Sequence, residues 1–139
     1  MLVEALNGWG YETTAVENGQ AGLKRFRTEK FSLVVTDLRM PVMDGLTMLK
    51  TIKKEKPIMP IVVITGYPTV DSAVESLVEG ADQYIVKPIH FEDLRVKIQK
   101  ALEKRKIQAE LESIRTINRI LILLIPGWIL LGILLARIF

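Results

Sequence analysis

Along the first hundred residues, short continuous apolar runs alternate with longer stretches in which apolar side chains recur every three or four positions. The first pattern predicts strands and the second predicts helices. Leu2, Val3 and Leu6 mark one face of a short opening helix, ended by Gly8 and Gly10, and residues 11–16 read as a strand. Asn18-Gly19 turns the chain into a helix over residues 20–28, with Ala21, Leu23 and Phe26 inward and Lys24, Arg25 and Arg27 in solvent. Residues 31–36 form an apolar run too continuous for a half-exposed strand, which predicts cover by helices on both faces. Residues 40–45 read as a loop, 46–55 as a helix and 61–64 as another buried strand. Thr69 is placed to cap a helix over 70–79, Gly80 ends it, and residues 83–86 make a last strand before Lys87-Pro88. Helix resumes near Phe91.

Strands separated by such helices pair in parallel through crossovers, so the pattern predicts an α/β domain whose parallel sheet carries helices on both faces. Ligands of open parallel sheets gather at the C-terminal ends of the strands. That rule brings Asp37, Thr65 and Lys87 to one rim, because each immediately follows a predicted strand.

Beyond Phe91 the helical period continues through Leu94, Ile98, Leu102, Ile107, Leu111 and Ile114, further than one small domain needs. After a domain over residues 1–103, residues 104–119 read as a helical linker. Its coiled-coil signal at Ile107, Leu111 and Ile114 is weak beside Lys100, Lys104 and Asn118. Residues 120–136 are 17 positions without a charge, twelve of them Leu or Ile, bracketed by Arg119 and Arg137. That length is the lower edge of what a membrane-spanning helix needs. At about −0.5 kcal/mol for each Leu or Ile, insertion is favoured by roughly 6 kcal/mol, less what Pro126, Gly127 and Gly132 remove. A single-pass C-terminal anchor is the expectation. Lys104, Arg105, Lys106, Arg115 and Arg119 before the run put the domain on the cytoplasmic side of the membrane. The plainer readings are a buried or oligomerising helix of a cytoplasmic protein, or an out-of-frame tail.

Composition narrows the functional classes. The 139 residues allow one core and an appendage, and 49% hydrophobic with 25% charged residues excludes disorder. Residues 1–103 carry 13 basic and 14 acidic side chains, and residues 104–139 carry 6 and 2. The excess behind the net +3 therefore lies beside the apolar run, which, with no second helical domain, disfavours nucleic acid as a partner. Cysteine is absent, which excludes disulfides, zinc fingers and thiol catalysis, and His90 alone makes no histidine cluster. Residues 1–6 include Glu4 and lack a basic leader, so no signal peptide is read there.

Singly, the rim residues have ordinary explanations: Asp37 can cap a loop, Thr65-Gly66 can form a turn, and Lys87-Pro88 can end a strand. Together they suit anionic oxygen, with a carboxylate to attack a phosphoryl group and a hydroxyl and an ammonium to receive its oxygens. Three motifs stand in order around them. They are Val34-Val35-Thr36-Asp37-Leu38-Arg39-Met40-Pro41-Val42-Met43-Asp44-Gly45, Val62-Val63-Ile64-Thr65-Gly66 and Asp82-Gln83-Tyr84-Ile85-Val86-Lys87-Pro88. In these motifs, and across residues 1–102, the chain resembles the receiver domain of two-component response regulators. Ser72-Ala73-Val74-Glu75 and Gly80-Ala81-Asp82 are nearest to receivers of transcriptional activators.

The resemblance implies a flavodoxin-like parallel sheet and a phosphoacceptor module, not an enzyme, served by a histidine kinase or phosphotransfer protein. It makes Asp37 the phosphoacceptor, Thr65 the hydroxyl that moves to the phosphoryl group, Lys87 its ionic partner and Tyr84 the aromatic switch. It also implies a cis Lys87-Pro88 peptide and Mg2+ on Asp37 and the Arg39 backbone carbonyl.

One departure bears on all of this. The family begins with a strand ending in two acidic residues, whereas this chain begins inside the helix that should follow, and Glu4 is no substitute. Without the pair, Mg2+ binding is expected to be weak. In the strand order 2-1-3-4-5 the missing strand is interior. The fold must then close over the gap, borrow a strand, exchange elements in a homodimer, or be unstable. The leading expectation is a membrane-tethered receiver of a phosphorelay. The alternative is an unphosphorylated pseudo-receiver that acts as a membrane-anchored interaction module. A flavin-binding relative is disfavoured, because no Ser/Thr/Gly-rich phosphate loop follows a strand.

Overall fold

The computed structural model describes residues 1–138, apart from the side chains of Pro126, Trp128, Leu130 and Ile138. The elements in chain order are α1 (Leu2–Gly8), α2 (Gly19–Thr28), β1 (Val34–Asp37), α3 (Gly45–Glu55), β2 (Ile61–Thr65), α4 (Val70–Val78), β3 (Gln83–Val86) and α5 (Phe91–Ile138). Local chemistry sets the helix starts. The Asn18 side chain accepts the Ala21 N–H, Asp44 accepts the Thr47 N–H, and Thr69 accepts the Ser72 N–H while the Ser72 hydroxyl accepts the Thr69 N–H. These are the short oxygen-bearing side chains that satisfy free amides at a helix start.

The three strands form one parallel sheet in the order β1-β2-β3, with Val34 opposite Ile61 and Val62 opposite Gln83. Every residue of β2 is buried. Ile61 and Val63 face a cluster with Leu23 and Phe26 of α2 and Met48, Leu49 and Ile52 of α3. Val62 and Ile64 face a second cluster with Leu6 of α1 and Leu94, Ile98 and Ala101 of α5. Helices therefore cover both faces, as continuous apolar strands require.

The structure corrects the expected sheet. No strand forms at residues 11–16 among the described residues. In the implied strand order that segment pairs only with the interior strand, so without it no ladder can form. Asp37 and Thr65 close β1 and β2 rather than following them. The linker and the apolar segment expected after residue 103 both lie within α5, with no break at either expected boundary. Two compact units divide the chain, Met1–Arg105 and a second that begins at Lys106. The segment expected to cross a membrane, residues 120–136, includes Pro126, Trp128 and Leu130, whose side chains lie outside the described residues. Among the described residues no helix is long and apolar enough to cross a membrane.

One buried carboxylate ties the sheet to its helices. Asp82, whose side chain is 7% exposed, accepts the Ile61 N–H at 3.0 Å and a Lys53 bond at 3.2 Å through Oδ2, and the Lys104 ammonium at 2.9 Å through Oδ1. Burial alone would push this carboxyl up, but Lys104, the Ile61 amide and Lys53 together hold it below the usual carboxylate range. A second fixed point is Gly45, whose N–H donates to the Leu38 carbonyl at 3.0 Å. A β-carbon there would collide with the Asp37 carbonyl oxygen, so only glycine lets α3 start this close to β1.

Because the folded carboxyl titrates below its unfolded value of about 3.9, Asp82 contributes its full stability above that pH and loses it as pH falls through the folded value. Asp82→Ala leaves the Ile61 amide without its acceptor and removes the counter-charge of Lys53, which keeps only the Met59 and Pro57 carbonyls; it is expected to cost about 3 kcal/mol, with a shallower acid limb in urea unfolding. Gly45→Ala is expected to cost about 2 kcal/mol by the same measurement, through overpacking against Asp37.

Candidate functional site

Parallel register carries the chemistry of the rim. Asp37 stands opposite Ile64, and Ile64 opposite Ile85, so Thr65 and Lys87 lie one and two residues further out on neighbouring strands. The Lys87 N–H donates to the Thr65 carbonyl at 2.9 Å, and the Lys87-Pro88 peptide that follows is cis. The lysine side chain reaches across the sheet end. Its Nζ reaches Asp37 Oδ2 at 2.7 Å, while the Arg39 N–H donates to Oδ1 at 3.1 Å. The carboxylate thus meets a cation through one oxygen and an amide through the other. It remains accessible, with the Asp37 side chain 29% and Lys87 46% exposed.

Thr65 is fully buried, and its Oγ1 accepts the Tyr67 N–H at 3.1 Å. Tyr84 is set apart from these groups. Its ring packs against the α2–α3 side of the core, and its hydroxyl lies 2.9 Å from Ser72 Oγ in the first turn of α4. The structure therefore joins Asp37 and Lys87 directly and brings Thr65 to the same strand ends, whereas Tyr84 is tied to a helix.

Two features of the rim escape a reading of the sequence. The Arg39 guanidinium stacks over the Tyr67 ring at 4.1 Å from its centroid, joining the loops after β1 and β2. No spacing rule relates those positions. The Ser72–Tyr84 bond is likewise a contact between elements. Its only sequence signal is the placement of Ser72 three residues after a capping threonine.

The fit of Mg2+ is poor. That ion needs near-octahedral oxygen coordination, with carboxylates and waters as its usual ligands. The rim offers one carboxylate, already engaged at both oxygens, and the Arg39 carbonyl. Among the described residues no group of three acidic or histidine side chains could hold a metal ion.

Comparison with known proteins supplies the family. Residues 1–99 match the response regulator receiver domain. The chain is 38% identical over 115 residues to the transcriptional regulatory protein ZraR of Escherichia coli, covering 82% of this chain and 26% of that protein. It is 33% identical to the regulatory protein AtoC of the same organism over 82% of this chain and 25% of the relative. It thus spans about a quarter of the length of the curated relatives it matches. A CheY-like receiver domain protein from Methanospirillum hungatei superposes with a TM-score of 0.72 at 33% identity, over 76% of this chain and 84% of the other. NtrX from Brucella abortus gives 0.76 at 29% identity, over 82% and 27%. The match and the fold agree: the chain belongs to the response regulator receiver domain family of two-component signalling.

Proposed function

We propose that residues 1–103 accept a phosphoryl group on Asp37 from a histidine kinase or phosphotransfer protein. The observation that carries this reading is the Asp37–Lys87 pair, an accessible carboxylate held 2.7 Å from an ammonium at the strand ends of a parallel sheet. An Asp37 carboxylate oxygen attacks phosphorus in line, the P–N bond to the donor histidine breaks, and the imidazole leaves with its electron pair and takes a proton. Lys87 then neutralises the added oxygens. The Thr65 hydroxyl exchanges its bond from the Tyr67 amide for one to the phosphoryl group. Tyr84, hydrogen-bonded to Ser72, serves as the aromatic switch beside α4. Any Mg2+ on Asp37 and the Arg39 carbonyl is held weakly, so no step is routed through it.

The shortage of acidic ligands favours a second reading, a pseudo-receiver that is never phosphorylated and recognises a protein partner by shape. The two readings share the proposed tether. Residues 104–119 act as its linker and residues 120–136 hold the domain to the cytoplasmic side of a membrane. Support comes from exposure: among the described residues of this stretch, the apolar side chains of Ile122 and Leu123 are 63% and 78% exposed.

Incubation with a labelled small phosphodonor is expected to give hydroxylamine-sensitive label on the wild-type chain and none on Asp37→Asn, with Lys87→Ala labelled about 100-fold more slowly. Hydroxylamine-resistant label, or equal labelling of Asp37→Asn, rules out the acyl phosphate. An unlabelled wild type that still binds its partner selects the pseudo-receiver. For the tether, the full chain is expected to stay with membranes through alkaline carbonate extraction, while a chain ending at Arg115 is released. Equal release of both removes the anchor.

A further inference from the structure

The second unit, from Lys106 onward, lies within α5, which continues through it without a break. Its apolar side chains keep a register. Ile107, Leu111, Ile114, Leu121 and Ile125 recur at alternating steps of four and three, Asn118 fills the one remaining place, and all five apolar side chains are exposed. In heptad terms Leu111, Asn118 and Ile125 take a positions, and Ile107, Ile114 and Leu121 take d positions. Lys100 and Lys104, which interrupt the same register upstream, belong to the first unit, where Lys104 is bonded to Asp82, so the seam starts at Ile107. The positions flanking this seam are complementary in charge. Glu110 falls at g and Arg115 at the e position of the next heptad, the two places that face each other across a parallel pair of helices. Five residues apart, they do not share a face of their own helix. Among the described residues neither forms an ion pair within its own chain.

We propose that residues 107–125 form a parallel, two-stranded coiled coil with a second copy of this chain, in which Glu110 of each copy pairs with Arg115 of the other. An antiparallel pair is disfavoured twice. It sets g against g and e against e, hence Glu110 and Arg115 each against its like, and it places Asn118 against an apolar d side chain with its amide unpaired. Asn118 also sets the number of strands. Leucine at a with isoleucine at d suits three or four strands by itself, but two asparagine amides in one a layer hydrogen-bond to each other and close that layer at two, at some cost in stability. Residues 107–125 are under three heptads, short for a coil standing alone. The proposed tether raises the local concentration of two copies, and the proposal rests on that reading for this alone and not on phosphorylation of Asp37.

Because the sequence has no cysteine, single introduced cysteines report the seam directly. The full chain is used in an excess of detergent micelles, where pairing is read whether or not carbonate extraction leaves the chain on membranes, so the coil and the tether fail separately. Under a mild oxidant, Ile107→Cys and Leu121→Cys are each expected to give a disulfide-linked dimer about 10-fold faster than Ala109→Cys and Thr116→Cys, which lie on the far side of the helix. Ile107 and Leu121 are 14 residues apart, about 21 Å along the helix, so only a parallel pair in register links each to its own counterpart. Adding Arg115→Glu to Leu121→Cys should slow the linkage about 10-fold, and adding Glu110→Arg as well should restore it. The proposal is overturned if the seam cysteines link no faster than those on the far side, or if only one of the two seam positions links. It is equally overturned if Arg115→Glu leaves the rate unchanged, if Glu110→Arg does not restore it, or if the molar mass of the wild-type protein in micelles is that of one, three or four chains.

Discussion

Complete burial of β2 is the constraint from which the rest of the domain follows. Full burial of a valine or isoleucine side chain is worth about 1.5 to 3 kcal/mol, and consecutive residues of a strand point to opposite faces. Ile61 and Val63 therefore need the cover of α2 and α3, and Val62 and Ile64 need that of α1 and α5. Main-chain hydrogen bonding requires a partner strand on each side, which fixes β1 and β3 as its neighbours. Asp37 and Lys87 meet because they end, or follow, the strands on either side of this buried one, and Thr65 is its last residue.

Two carboxylates of the domain show how environment separates structural from chemical roles. Asp82 is enclosed by two lysines and a backbone amide, so its charge is satisfied in place and serves to join β2, β3, α3 and α5. Asp37 sits in a partly exposed pair, of a kind worth at most about 1 kcal/mol to stability. A pair of so little structural value can be opened and rebuilt around a phosphoryl group without unfolding the sheet.

Much of the fold was legible because the buried strands obey simple rules. The bounds expected for the last strand match β3, the run over 61–64 falls one residue short of β2, and the cap expected at Thr69 is formed. The segment 11–16 was misread because a strand is a relation between two chains of backbone, and sequence pattern reports only one of them. The apolar run beginning at Phe31 failed in a milder way, since β1 starts at Val34, and Val34 and Val35 are only half-buried. At the rim, the positions of Asp37, Thr65 and Lys87 followed from the rule of strand ends. The stacking of Arg39 on Tyr67 depends on the paths of two loops, which no local pattern encodes.

The helix α4 is built differently from its neighbours. Its one buried side chain is Ser76, while Val70, Val74, Leu77 and Val78 are exposed. It is held by the Thr69–Ser72 cap, the Ser72–Tyr84 contact and a Lys50–Glu75 bridge, with little apolar burial of its own. Elements with few buried apolar contacts open at a free energy well below that of global unfolding. The domain thus has an uneven energy profile, in which α4 can detach while the two apolar clusters stay intact, so a change of a single hydrogen bond at Ser72 is large relative to what keeps this helix in place.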